Sequence, residues 1–117
     1  MCGRMTLDLS IETVTEIYRI TQKIDRDLNQ RYNVAPTQDV PIVRQDPEGA
    51  RELAFAHWGL IPGWAKDIAI GNKLINARAE SVSEKPSFRS AFKRRHCVLP
   101  VGGFYEWQPV DGRRKQP

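Results

Sequence analysis

The sequence predicts an α+β fold with a mainly antiparallel sheet. Three observations point there: an amphipathic helical repeat near the N-terminus, two strand-like runs joined by a turn, and a mixture of helices and strands without a regular βαβ rhythm. The 117 residues fit one domain, residues 1–117. That length buries somewhat more than ~60% of the unfolded surface.

In chain order, "LSIETVTEIYRI" places Ile11, Val14, Ile17 and Tyr18 on one helical face. Ser10 can cap the helix, and Glu12 sits in its first turn, where the dipole favours negative charge. "RYNVAPTQDVPIVRQDPEGA" breaks the pattern, because Pro36, Pro41 and Pro47 each remove a backbone donor and push the preceding residue toward extended geometry. It predicts a loop through Pro36, a short strand around Val40 to Arg44, and a turn from Asp46 to Gly49. "RELAFAHWGL" then alternates Leu53, Phe55 and His57 against Glu52, Ala54 and Ala56, which predicts a strand pairing back as a hairpin.

Glycine and proline interrupt "WGLIPGWAKD" and "AIGNKLINARAES" too often for regular structure, yet Trp58, Leu60, Ile61 and Trp64 are costly to leave in water. An ordered, partly buried loop follows. "KPSFRSAFKRRH" predicts a short helix with Phe88, Ala91 and Phe92 inward and its basic side chains outward. "CVLPV" and "GFYEWQPV" are strand-like and are joined by Gly102 and Gly103. Asp111-Gly112 then predicts a hairpin turn whose return strand is cut short at the end of the sequence, as in a fragment.

A hydrophobic fraction of 40%, with 27% charged residues, describes a globular chain rather than a disordered one. No apolar run approaches the roughly 18 residues of a membrane span, and no basic-then-apolar leader is present, so a cytoplasmic location is the default. In a reducing compartment Cys2 and Cys97 are expected to remain thiols, with Cys97 buried and inert. The net charge of +4 and the pI near 9.3 are compatible with a nucleic-acid partner. Arg89, Lys93, Arg94 and Arg95 bunch together, as do Arg113, Arg114 and Lys115; such runs are commonly solvated surface.

Cys2 carries the sharpest chemistry. Once Met1 is trimmed, this residue holds an α-amine with a reference pKa near 7.7–8.0 beside a thiol near 8.5. An aldehyde can form an imine with the nitrogen, after which the sulfur closes a five-membered thiazolidine ring. An internal cysteine lacks the free amine and cannot do this.

Class II glutamine amidotransferases also begin Met-Cys-Gly, but their Arg-Gly-Pro-Asp and Asn-Gly strings are absent here. Instead "MCGRM", "RYNVAPTQ", "WGLIPGWAKD", "INARAES" and "GGFYEW", in that order, resemble the SOS response-associated peptidase family. The likeness runs from Cys2 to the final "KQP". It implies a barrel-like antiparallel core with a few short helices, of which this chain would be the N-terminal half. It also implies a sensor that crosslinks to abasic sites in single-stranded DNA through Cys2, removes its own Met1 and uses neither cofactor nor metal.

Carried over position by position, the resemblance makes Cys2 the nucleophile and crosslinking residue, Asn76 the hydrogen-bonding group at the reacting centre, and Glu106 the acid/base carboxylate. Partial burial among Phe104, Tyr105 and Trp107 would raise the Glu106 carboxyl toward working pH. Arg78 matches a phosphate-contacting arginine. Arg4 is a further candidate for DNA contact near Cys2, Asn33 and Pro36 would lie on the DNA-facing loops, and Trp64 and Trp107 would stack on bases or serve the core, whereas Trp58 fits the core alone. The family's catalytic histidine lies beyond this sequence; His57 fits a strand position and His96 the basic patch.

Two other functions fit the same residues: an N-terminal-nucleophile peptidase or amidohydrolase that does not act on DNA, and an inactive DNA-binding fragment. An incomplete sheet would expose an edge and favour self-association.

Overall fold

The computed structural model describes residues 2–24, 26–110 and 114–116. The fold is α+β and its strand pairs are antiparallel. A three-stranded sheet has the order β2-β1-β5, with β1 (Met5–Leu7) between β2 (Arg31–Val34) and β5 (Gly103–Phe104). A second sheet pairs β3 (Asp39–Gln45) with β4 (Arg51–His57), and a third pairs β6 (Gln108–Val110) with β7 (Arg114–Gln116). Among the described residues these sheets form no closed barrel; the antiparallel core is shared by the first two of them.

The β3–β4 hairpin forms where the alternation predicts it, with Val40 opposite Ala56, Ile42 opposite Ala54 and Val43 opposite Leu53. Asp46 closes its turn by accepting from the backbone N–H groups of Glu48 and Ala50 at 2.9 Å each. Strand β3 is buried on both faces, which explains its continuous apolar run. Val40 and Ile42 join Met5, Leu7 and Val34 in one cluster, covered by Ala54, Ala56, Trp58, Leu99 and Val101. Val43 joins Val14 and Ile20 in another, against Leu9, Tyr18, Ile24, Leu28 and Leu53. Full burial of valines such as Val14 and Val34 stabilises the fold by about 1.5–3 kcal/mol each.

Helix α1 (Ile11–Tyr18) starts as predicted, with the Thr13 backbone N–H donating to Ser10 Oγ at 3.1 Å. It ends at Arg19 in the left-handed conformation, φ 54°. Val14 is its buried anchor and Ile11 and Tyr18 are half-buried, but Ile17 is exposed, so the apolar face is narrower than the spacing implies. Helix α2 (Arg89–Arg94) is shorter than predicted and buries none of its residues: Phe88 and Ala91 are half-buried and Phe92 is exposed.

Strand β2 replaces the front of the loop expected through Pro36. Its Val34 reaches 0% exposure opposite Met5. The region from Trp58 to Ser81 is irregular, as expected, apart from a 3-10 helix at Ile68–Asn72. The return strand β7 pairs over three residues despite its shortness, while the Asp111-Gly112 turn lies outside the described residues. Cys97 is exposed rather than buried, because Val98 meets β3 only through a single bridge at Val43. Among the described residues, no helix is long and apolar enough to cross a membrane.

Candidate active site and nucleic-acid interface

Cys2 leads directly into the central strand. The Tyr105 backbone N–H donates to Arg4 O at 2.9 Å, carrying the β1–β5 pairing outward beyond Met5 and Phe104. Asn76 arrives from the opposite side of the sequence and donates from Nδ2 to the Cys2 carbonyl oxygen at 2.6 Å. Cys2 is half-buried, and its Sγ lies 3.7 Å from Arg4 O. Cys2 and Asn76, expected to lie together, therefore meet, although 74 positions separate them.

The irregular segment places Asn76 through two close backbone tracks. Trp58 Nε1 donates to Ile75 O at 3.1 Å and the Leu60 N–H to Leu74 O at 2.9 Å. Between these bonds Gly59 adopts φ +126° and passes so near Gly71 that a Cβ on Gly59 would fall 2.4 Å from Gly71 O. Only glycine fits such a backbone at that separation. Trp58 is thus the half-buried packing residue that the sequence suggests, and its indole fixes the residue before Asn76.

Arg4 and Asn33 also meet: the guanidinium donates to Asn33 Oδ1 at 2.7 Å. Tyr105 Oη donates to Tyr32 O at 3.2 Å, so β2 and the chain after β5 are tied across β1. Pro36 is half-buried in the turn after β2, where the Thr37 N–H donates to Trp58 O at 2.9 Å. That bond joins the Pro36 turn to the Trp58 track.

The remaining expected residues lie on the surface. Arg78 is exposed, and its carbonyl accepts from the N–H groups of Ser81 and Val82 at the start of a turn. Trp64 and Trp107 are 58% and 62% exposed, which removes the core reading for both. Trp64 Nε1 donates to Pro86 O at 3.4 Å. Glu106 follows Tyr105 at the open end of the β1–β5 pairing and is exposed. The partial burial expected for its carboxyl is therefore corrected: its aromatic neighbours face solvent and cannot wall it off.

Tyr32, Phe104 and Tyr105, to which the sequence assigns no DNA contact, are exposed aromatics on or beside the sheet that Cys2 leads into. The signal was the string "GFYEW" itself, whose aromatics read as strand interior. His57 ends β4 and is exposed, and His96 bonds through Nε2 to Phe92 O, so neither reaches Cys2 by any described contact. Among the described residues no group of three or more His, Cys, Asp or Glu is arranged to hold a metal ion.

This arrangement was compared with known proteins. The family model described as SOS response associated peptidase (SRAP) matches residues 1–117. "Abasic site processing protein YoqW" of Bacillus subtilis is 44% identical over 118 residues, covering 100% of this chain and 52% of the relative. "Abasic site processing protein HMCES" of Pongo abelii is 32% identical over 143 residues, covering 100% of this chain and 39% of the relative. A crystal structure of a Bacteroides thetaiotaomicron protein superposes with a TM-score of 0.78 at 26% identity, over 97% of this chain and 51% of its own. This sequence spans about half the length, or less, of these proteins. With the family model matched from end to end and Cys2 and Asn76 in contact, the chain belongs to the SOS response associated peptidase family.

Proposed function

We propose that this chain captures abasic sites in single-stranded DNA covalently through Cys2, after removal of Met1. The observation that carries the reading is the hydrogen bond from Asn76 Nδ2 to the Cys2 carbonyl, which holds residue 2 at the head of the central strand. The names of the relatives supply the substrate class, since YoqW and HMCES are both called abasic site processing proteins.

The ring-opened abasic sugar presents an aldehyde. The Cys2 amine adds to its carbon, and loss of one water gives the imine. The thiol sulfur then adds to the same carbon while its proton passes to the nitrogen, closing the thiazolidine. Both nucleophiles belong to one residue, so ring closure is intramolecular and profits from a large effective molarity.

Asn76 orients residue 2 without adding a charge, whatever the pH. Glu106, at the exposed end of the sheet, relays protons as the carbinolamine dehydrates. Arg78 and Arg4 grip phosphate oxygens, and Asn33 and Pro36 shape the adjoining turn. Exposed Trp64 and Trp107 offer faces on which unstacked bases rest. The family description supports a further step, release of Met1 by the same cysteine.

The test incubates the chain with an abasic-site oligonucleotide and looks for a heat-stable product of higher mass. Cys2→Ala and a form extended before Cys2, which keeps the thiol but loses the amine, are expected to give none. Crosslinking by the extended form would overturn the ring mechanism. Hydrolysis of peptides or glutamine, with no DNA adduct, would select a peptidase or amidohydrolase instead.

A further inference from the structure

We infer that a basic trough around α2, at the far end of the β3–β4 hairpin from Cys2, binds the phosphate backbone of nucleic acid. Three adjoining depressions surround this helix and share Arg94. Their cationic walls are Arg44, Arg51, Arg89, Lys93, Arg94 and Arg95; the acids lining them are Asp46 and Glu52. Six of the chain's eighteen basic and two of its fourteen acidic side chains are thus spent here, leaving twelve of each elsewhere. The entire net charge of +4 resides in this one trough.

Four of its six cations are left unengaged by the fold among the described residues. Glu52 pairs with Arg44, and Asp46 is occupied by its own turn. Arg51 donates to Tyr18 O. The side chains of Arg89, Lys93, Arg94 and Arg95 are exposed, and none hydrogen-bonds or pairs with an acid among the described residues. Lys93 and Arg94 in the last turn of α2 suit its dipole, but Arg89 sits in the first turn, where the dipole opposes it. Arg89 and Lys93 are also four apart on one helix, a like-charge spacing that destabilises it. A helix arranged for its own stability would not carry both.

The chemistry favours phosphodiesters over other anions. Five of the six cations are arginine, whose guanidinium bonds phosphate oxygens in pairs. A rise of 1.5 Å per residue makes α2 about 9 Å long, so its cations can be met by successive phosphates of one strand. Arg89, Lys93 and Arg94 lie on α2, Arg95 caps it, and Arg44 and Arg51 face it from β3 and β4 across a concave surface. That shape suits a flexible strand laid along it rather than a flat lipid headgroup layer.

The trough is remote from the candidate active site. The hairpin runs from Asp39 and His57, beside the Trp58 track, to Gln45 and Arg51 in the trough wall, a span of about 20 Å at ~3.3 Å per residue. The inference therefore does not depend on the reaction of Cys2.

The experiment uses the 117-residue chain carrying Cys2→Ala, so that no covalent product forms, and an undamaged single-stranded 20-mer. Affinity is measured between 50 and 300 mM salt, with and without Arg89→Gln, Lys93→Gln and Arg94→Gln together. These side chains are exposed, so the melting temperature is expected to hold. Affinity at low salt should fall at least tenfold and the log–log salt slope by about 2, since each neutralised phosphate on a single strand contributes ~0.7. Unchanged affinity and slope would overturn the inference. So would equal loss of binding to vesicles of anionic lipid or to polyglutamate with oligonucleotide binding intact. With Cys2 restored, the triple variant should still crosslink abasic DNA at saturating protein, which separates failure of the trough from failure of the active-site reading.

Discussion

Asn76 and Cys2 are 74 positions apart, yet the amide of one donates to the carbonyl of the other at 2.6 Å. The bond acts on the backbone of Cys2, while Sγ lies 3.7 Å from Arg4 O. Asn76→Ala is expected to slow crosslinking to abasic DNA about tenfold, a rise of roughly 1.4 kcal/mol in the barrier. Asn76→Asp should be slower still, because it sets a carboxylate oxygen against the Cys2 carbonyl where an N–H stood. Timed gel assays of adduct formation check both; equal rates for the two variants and the parent would remove Asn76 from the mechanism.

Gly59 and Gly71 hold the track that delivers Asn76. Gly59→Ala puts a Cβ 2.4 Å from Gly71 O at φ +126° and should destabilise the chain by about 2 kcal/mol or more. For a domain of this size that lowers Tm by roughly 8 °C or more. Gly63→Ala is the control, since a Cβ there meets nothing within 4 Å. Thermal unfolding followed by circular dichroism should separate them clearly.

The three tryptophans should divide by role. Trp64→Ala and Trp107→Ala remove exposed rings and are expected to weaken DNA binding by about 1–3 kcal/mol if a base stacks there, with Tm nearly constant. Trp58→Ala removes a ring packed against the core together with its bond to Ile75 O, costing about 3 kcal/mol of stability. Paired melting and binding curves test the division.

Arg4 and Asn33 form a bonded pair at 2.7 Å, so their contributions to DNA binding should be coupled. Arg4→Ala is expected to reduce the salt slope on single strands by about 0.7, while Asn33→Ala reduces affinity by releasing Arg4 from its position. In a double-mutant cycle the combined loss should fall short of the sum of the single losses by about 0.5 kcal/mol or more. Strict additivity would mean that the two act separately.

The elements legible in the sequence are those that local chemistry decides. Ser10 caps α1 because its hydroxyl reaches Thr13 N–H within one turn, and the β3–β4 hairpin follows from alternation closed by Asp46. Strands β1 and β2 were not legible, because three or four residues carry too little periodicity; β5 falls in the strand-like "GFYEWQPV", but its pairing with β1 joins positions up to 99 apart. Burial was misjudged for the same reason at Ile17, Phe92, Cys97 and Glu106: neighbours in sequence suggested a covered face, whereas these four residues are exposed. The Cys2–Asn76 pairing was reached through motif resemblance, since nothing in either residue's neighbourhood encodes the other.

The placement of β1 between β2 and β5 sets a timetable for the nascent chain. The first residues to leave the ribosome are the last to gain both their neighbours, since Phe104 must be made before Met5 has a partner on each side. At about 5–20 residues per second that leaves roughly 5–20 s in which the leading end is a loose tail. Throughout that window β1 keeps an open edge, and its pairing with β5 is the last of the three-stranded sheet to form.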